Sequence, residues 1–207
     1  MGRRVSQKMI ANKPDLAANG GLDEQMLQQL MMGGMQQHDN QRIVMLHGDV
    51  TEYSVSQVMA HVMHLATGSQ KPIKLIVSSY GGAVHEMFGL IDLLRTIECP
   101  VHTVGLGKIM SAGTVIMAAG AKGSRAIGST TRVMLHPMSG AAMGTLFQME
   151  NELKEARAMQ DTIEKILLRD TTMTKKQLTD IMKLGHDHYI SAQEAVSLGI
   201  ADHIIGE

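Results

Sequence analysis

The chain has 207 residues, a formal net charge of −1 and only 2% aromatic residues. This length suits one domain or two, and the 44% of hydrophobic residues are enough to build a core. Single-strand nucleic-acid readers need aromatic platforms and polyanion binders need a basic field, so the composition disfavours nucleic-acid binding.

The sequence predicts a cytoplasmic protein that does not enter the membrane. Its one cysteine, Cys99, cannot form an internal disulfide, so nothing indicates an oxidising compartment. No stretch approaches the roughly 18 apolar residues of a membrane helix, and the first residues lack the apolar core of a signal peptide.

Two regions differ in composition. Residues 1–40 are rich in Gln, Asn, Gly and Met, which predicts a flexible N-terminal arm. From residue 41 to 207, apolar strand-like runs alternate with helical patterns, which predicts a single α/β domain. The predicted strands are 42–48, 73–79, 101–107, 132–136 and 200–205, and the predicted helices are 54–68 (capped by Ser54), 83–97, 111–120, 144–170, 174–185 and 192–199.

Three reactive side chains follow predicted strands or precede a predicted helix. Ser111 lies in a glycine-bounded turn, His136 ends a strand, and Asp187 stands just before a helix. Because α/β proteins place their sites at the carboxyl ends of strands, the three residues suggest a Ser-His-Asp triad. Serine would be the nucleophile, histidine the general base, and aspartate the group that orients the imidazole.

A triad also needs two N–H donors for the oxyanion. The candidates are Gly82, which has no side chain to block the approach, and Ala112, directly after the nucleophile. The Gly-x-Ser-x-Gly elbow of the α/β-hydrolases is not met, because Ile109 stands where its first glycine belongs. Spacing alone therefore leaves the triad an open hypothesis.

Neither a metal site nor a cofactor site is predicted. His61 and His64 lie three residues apart on a predicted helix, but no third ligand has suitable spacing.

Five segments occur in the order in which one family carries them. With these segments, residues 41–207 resemble the proteolytic subunits of Clp proteases, which are self-compartmentalised serine peptidases. The segments are Ser79-Tyr80-Gly81-Gly82, 107–113 with 119–123, 132–136, 187–192, and 194–195 with 199–202.

The resemblance implies a fold and a set of site residues. The fold would be a crotonase-like ββα superhelix with a protruding handle helix at about 144–170. The nucleophile would be Ser111, the base His136 and the orienting acid Asp187. The oxyanion donors would again be the N–H groups of Gly82 and Ala112.

The resemblance also implies how substrates and partners bind. A polypeptide substrate would add as a strand between Ala83, just after the glycine pair, and the segment at Met138 and Gly140. The subunits would assemble into heptameric rings, two of which would form a tetradecamer fed by an ATP-dependent (AAA+) unfoldase.

The sequence departs from the family pattern at several positions. Tyr80 replaces a proline that would fix φ before the glycine pair. Pro137 follows His136 directly, which shifts the expected register of the substrate strand by about one residue. Gly185 and His186 replace an acidic residue and an arginine, so coupling between rings is expected to differ.

Partner docking is expected to be non-standard. The positions that match the unfoldase-binding pocket are Lys74, Ile76, Thr96 and Ala126, and none is aromatic. Two alternatives to an active peptidase therefore stay open. One is a non-catalytic or regulatory ring subunit, and the other is a crotonase-fold enzyme that acts on an acyl-thioester.

Overall fold

Strands and helices alternate along residues 41–206, the part of the chain that this computed structural model describes. The predicted arm, residues 1–40, lies outside the described residues. In chain order the elements are β1 (Ile43–Val50), α1 (Glu52–Gly68), β2 (Ile73–Gly82), α2 (Val84–Thr96), β3 (Val101–Met110), α3 (Ala112–Ala118), β4 (Ala126–Gly128), β5 (Arg132–Leu135), α4 (Leu146–Asp170), α5 (Lys175–Lys183), β6 (His188–Ile190), α6 (Ala192–Ser197) and β7 (His203–Ile205).

The strands form one mixed sheet. Its main path runs β1-β2-β3-β4-β7, and the neighbours along this path are parallel. Strand β5 pairs in parallel with β3, and β6 pairs antiparallel with β5. The predicted α/β class is confirmed, and the arrangement agrees with the crotonase-like fold implied by the resemblance.

Side-chain alternation in β2 explains where the core lies. Ile73, Leu75 and Val77 are fully buried, whereas Lys74 and Tyr80 are exposed, so one face of the sheet is covered and the other is open. Helix α3 packs on the covered face against β2 and β3, and all seven of its residues are buried. A short apolar helix thus stands at the centre of the fold, with its first residue next to Ser111.

Helix α4 is the protruding handle. It begins at a capping box in which Thr145 and Gln148 exchange hydrogen bonds, two residues after the predicted start at Gly144. Of its 25 residues only Ile166 and Leu167 are buried, both near its C-terminal end. Ile163 and Leu168 also pack against the core, whereas most residues in the first half of the helix are exposed.

Three local predictions need correction. The first long helix is capped by Thr51 and not by Ser54, whose hydroxyl instead donates to the Asp49 carbonyl. Strand β2 continues through Gly81-Gly82, because both glycines still pair with β1, opposite Asp49 and Val50. The three-residue strands β4 and β6 were not predicted, because a strand of three residues is too short to produce a periodic pattern.

A half-buried ion pair fastens the C-terminal strand. The Arg125 guanidinium donates to both carboxylate oxygens of Asp202, at 2.9 and 2.5 Å. Burial alone would raise the pKa of Asp202, but the hydrogen bonds and charge of Arg125 lower it below its usual value. The pair joins β4 to β7 at the sheet edge.

Candidate active site

The carboxyl ends of three adjacent strands meet at one place. Gly82 ends β2, Ser111 follows β3, and His136 follows β5. Strand pairing sets their spacing, because Met110 lies opposite Met134 and the Ser111 N–H donates to the Met134 carbonyl at 2.9 Å. Residues far apart in sequence thus converge because their strands are neighbours.

Ser111 and His136 are in direct contact. The distance from Ser111 Oγ to His136 Nε2 is 2.8 Å, and both residues are half-buried. In the tautomer with hydrogen on Nδ1, Nε2 accepts the serine proton, which is the arrangement that activates a hydroxyl nucleophile.

The backbone at Ser111 is strained. Its φ is 54° and its ψ is −122°, a region that residues with a side chain rarely occupy, at a cost of about 1–3 kcal/mol. Thr114 holds this conformation, because its N–H donates to the Ser111 carbonyl and its hydroxyl lies 2.8 Å from the Met134 carbonyl oxygen. The strain places the hydroxyl at the start of α3, and the sequence contained no signal for the supporting role of Thr114.

Gly81 and Gly82 bring the end of β2 against the nucleophile. Their φ values are 97° and 148°, in the region that glycine tolerates best. A Cβ at Gly81 would lie 2.6 Å from Ser111 Cβ and 3.0 Å from the Ala112 nitrogen, and one at Gly82 would overlap the Val50 carbonyl oxygen. Only glycines permit this close approach, and Gly82 and Ala112, the two candidate oxyanion donors, line the same cavity as Ser111.

Two hollows open at this contact. One is a cavity of about 70 Å³ with both polar and apolar walls, in which Met87, Val115 and Met182 face Gly82, Ser111, Ala112 and His136. The other is an open cleft of about 780 Å³ that also reaches Ser111 and His136 and has Tyr80 in its wall. The nucleophile therefore lines both a small cavity and a wide cleft.

The structure places Asp187 near His136 without joining their side chains. Leu135 pairs with His188 at the end of the antiparallel β5–β6 ladder, and His136 and Asp187 are the residues directly beyond this last pair. The Asp187 carboxylate is exposed and accepts a hydrogen bond from the Tyr189 hydroxyl at 3.2 Å. Within residues 41–206, no hydrogen bond joins Asp187 to His136.

The hydrogen bond between Tyr189 and Asp187 also changes the pKa of the tyrosine. Hydrogen bonding to Asp187, together with the carboxylate charge, raises the pKa of the Tyr189 phenol above its usual value. The hydroxyl therefore stays protonated and remains a donor to Asp187 at neutral pH.

Two of the three candidate substrate-binding positions line the hollows beside Ser111, with Ala83 in the open cleft and Met138 in the small cavity. The Ala83 N–H donates to the Val50 carbonyl at 2.8 Å, so this group is used within the fold. The Met138 N–H donates to Oε1 of Gln160, also at 2.8 Å, and Gly140 is exposed. Gln160 lies on the handle helix and was not foreseen from the sequence, since its partner comes from a distant loop.

Other kinds of site were also sought in the described residues. Between residues 41 and 206, no cluster of three or more His, Cys, Asp or Glu side chains could hold a metal ion. Over the same range, no helix is both long enough and apolar enough to cross a membrane.

Two comparisons with known proteins found similarity to Clp proteases. A family model described as Clp protease matches residues 28–207. The chain is also similar to ATP-dependent Clp protease proteolytic subunit 4, chloroplastic, of Arabidopsis thaliana, with 29% identity over 166 residues. That alignment covers 80% of this chain and 56% of the plant protein, so the chain spans little more than half the length of this relative.

Proposed function

The chain belongs to the Clp protease family, and on this premise we propose that it is a serine endopeptidase subunit that hydrolyses peptide bonds. The observation that carries the proposal is the 2.8 Å contact between Ser111 Oγ and His136 Nε2. Three further features support it. The backbone of Ser111 is strained, Gly81 packs closely against Ser111, and an open cleft large enough for a peptide reaches both residues of the contact.

The proposed reaction follows from these positions. His136 Nε2 takes the proton of Ser111 as the serine oxygen attacks the peptide carbonyl carbon. The N–H groups of Gly82 and Ala112 stabilise the oxyanion, a contribution of roughly 10²–10³ in rate for each donor. His136 then returns the proton to the leaving amine, and water releases the acyl group by the same steps.

Asp187 is the proposed orienting acid. It lies, like His136, directly beyond the last pair of the β5–β6 ladder, so a side-chain rotation away from Tyr189 brings the carboxylate towards Nδ1 of the imidazole. There it would fix the tautomer and stabilise the imidazolium that forms during attack.

Substrate binding is proposed to use backbone groups. A peptide strand would lie between Ala83 and the segment of Met138 and Gly140. Binding at Met138 would displace the Gln160 side chain, whose oxygen accepts that N–H in the structure. Recognition through the backbone tolerates many peptide sequences, and the small cavity would take a modest apolar side chain.

The assembly is part of the same proposal. We infer heptameric rings, two to a tetradecamer, that enclose the active sites in a cytoplasmic chamber. The proposed feeder is an AAA+ unfoldase. Its docking would be non-standard, because Lys74, Ile76, Thr96 and Ala126 provide no aromatic contact.

Covalent labelling tests the proposal. A fluorophosphonate probe should modify Ser111, and Ser111→Ala should abolish labelling and lower peptide hydrolysis by on the order of 10⁴-fold or more, because the nucleophile is lost. The matched control is Ser56→Ala, which removes an exposed hydroxyl on α1 that donates to the Tyr53 carbonyl. This variant should label and turn over as the wild type does.

A second candidate function has one observation in its favour. The Asp187 carboxylate is engaged by Tyr189, as would suit a ring subunit that is non-catalytic or regulatory. Wild-type protein that assembles but is neither labelled nor active would support this second function and contradict the first. Acyl-CoA turnover that survives Ser111→Ala would instead indicate the acyl-thioester enzyme.

A further inference from the structure

Tyr80 and Lys108 form a contact beside the nucleophile that the proposed reaction does not use. The ammonium of Lys108 stands 4.7 Å from the centroid of the Tyr80 ring. Cations within about 6 Å of an aromatic centroid are attracted by the negative face of the ring. The Tyr80 side chain is 61% exposed and stands in the wall of the open cleft, whereas Lys108 is half-buried.

An irregularity in strand pairing brings the two residues together. Between its pairs Val77–Gly105 and Ser79–Ile109, β2 advances by two residues while β3 advances by four. The extra residues bulge from β3, and Lys108 is the last of them. A bulge of this kind redirects a side chain relative to a regular ladder, and here it directs the lysine over the neighbouring strand.

Tyr80 directly precedes the glycine pair that touches the nucleophile. A Cβ at Gly81 would lie 2.6 Å from Ser111 Cβ, so the position of this turn and that of Ser111 depend on each other. Two hydrogen bonds already hold the backbone around the pair, from Gly81 N–H to Ser79 Oγ at 3.0 Å and from Ala83 N–H to the Val50 carbonyl. Tyr80 has no ring that restricts φ, unlike a proline at the same position.

We propose that Lys108 and Tyr80 are positioning residues for the oxyanion-binding turn. The lysine holds the Tyr80 ring from β3, the strand that also leads into Ser111, and so fixes the end of β2 relative to the nucleophile. The inference rests on the proposed function, because the turn matters to catalysis only if Gly82 donates to an oxyanion. Lys108 acts through Tyr80 and does not line either hollow beside Ser111.

Lys108→Met tests the inference, because methionine is an unbranched side chain only one atom shorter than lysine and carries no charge. Misplacing an oxyanion donor weakens a bond made in the transition state, so kcat should fall while KM stays unchanged. A cation–π contact at a partly exposed site corresponds to a fall of about two- to five-fold. The rate of fluorophosphonate labelling of Ser111 should fall by a similar factor.

Three further variants make the test specific. Lys108→Arg should restore at least half of the lost rate, because a guanidinium also stacks on an aromatic face. In a Tyr80→Ala background, Lys108→Met should have no further effect on kcat. Lys175→Met removes the same charge from an exposed site at the start of α5 and should leave the kinetics unchanged.

The outcomes separate the two proposals. Unlabelled wild-type protein would overturn both the peptidase function and the positioning role. Labelled, active wild-type protein in which Lys108→Met leaves kcat unchanged, or changes only KM, would overturn the positioning role alone. Equal thermal unfolding midpoints of wild type and Lys108→Met would exclude a general loss of folding as the cause of a slower reaction.

Discussion

At the scale of single residues, the candidate site combines strain with close packing. Ser111 adopts a φ of 54°, and the glycine pair opposite it leaves no room for a Cβ. Neither feature follows from residue type, since each depends on where the neighbouring strand lies. Such strain persists only where the surroundings enforce it, and here Thr114 and the Met134 carbonyl do so.

The contact between Tyr189 and Asp187 leads to a prediction. Tyr189→Phe removes the hydroxyl that holds the carboxylate, so Asp187 can turn towards His136 more readily. We expect kcat/KM for a short peptide to rise by about two- to ten-fold, the range of one modest hydrogen bond.

Steady-state kinetics of the variant and the wild type with the same short peptide measure this effect. Tyr53→Phe is the matched control, because this tyrosine is 76% exposed on α1 and lies outside both hollows beside Ser111. A lower kcat/KM in Tyr189→Phe would mean that the hydroxyl supports Asp187 and does not restrain it.

At the scale of secondary-structure elements, the capping box of α6 fastens the segment that carries Asp187. The Ser191 hydroxyl accepts from the Glu194 N–H, and the Glu194 carboxylate accepts from both the N–H and the hydroxyl of Ser191. This box stands directly after β6, which follows Asp187. A hydrogen-bonded helix start thus anchors the strand next to the site.

The capping box predicts a pH dependence of stability. Two hydrogen bonds from Ser191 lower the pKa of Glu194 below its usual 4.5. The bond from the Ser191 N–H has the larger effect and the bond from its hydroxyl the smaller. Because the folded-state pKa is the lower one, the carboxylate contributes stability above about pH 4.5 and loses it as the pH falls through the folded value. Glu194→Gln can still accept the hydrogen bonds but carries no charge.

Thermal unfolding from about pH 3.5 to 7 measures this contribution. The difference in Tm between wild type and Glu194→Gln should be constant above about pH 5.5 and shrink below pH 4.5. Glu152→Gln is the control, since this exposed handle residue makes no hydrogen bond with any residue from 41 to 206. A Tm difference that does not change with pH would show that the charge of Glu194 is unimportant.

At the scale of the whole molecule, the handle exposes apolar side chains. Leu146, Phe147 and Leu153 are 63%, 77% and 52% exposed, in a chain with only five aromatic residues. Large apolar groups gathered on one exposed element are typical of an interaction surface. The proposed double ring would cover them.

Phe147→Glu should weaken that assembly. Burying a phenylalanine contributes about 1.5–3 kcal/mol to each contact, and a buried carboxylate in its place would oppose association. Native mass spectrometry should show a shift from tetradecamers towards single rings, while circular dichroism stays unchanged. The control is Asn151→Asp, which adds one negative charge to an exposed position of the same helix and should leave the assembly intact. If Phe147→Glu still formed tetradecamers, Phe147 would lie outside the interface.

The sequence by itself determined the α/β class, most element positions and the residues of the candidate site. Period-two apolar runs and helical periodicity depend on local order, so β1, β2 and α4 could be located to within a few residues. Ser111, His136 and Asp187 stood out because each follows or precedes such an element.

Only the tertiary structure decided how those residues meet. The Ser111–His136 contact depends on β3 lying beside β5, and the Lys108–Tyr80 contact depends on a bulge in the β2–β3 ladder. The partner of Asp187 and the bond from Met138 to Gln160 likewise join groups whose distance is set by packing. A sequence pattern records which residues share a face, whereas atomic distances between separate elements arise only when the chain has folded.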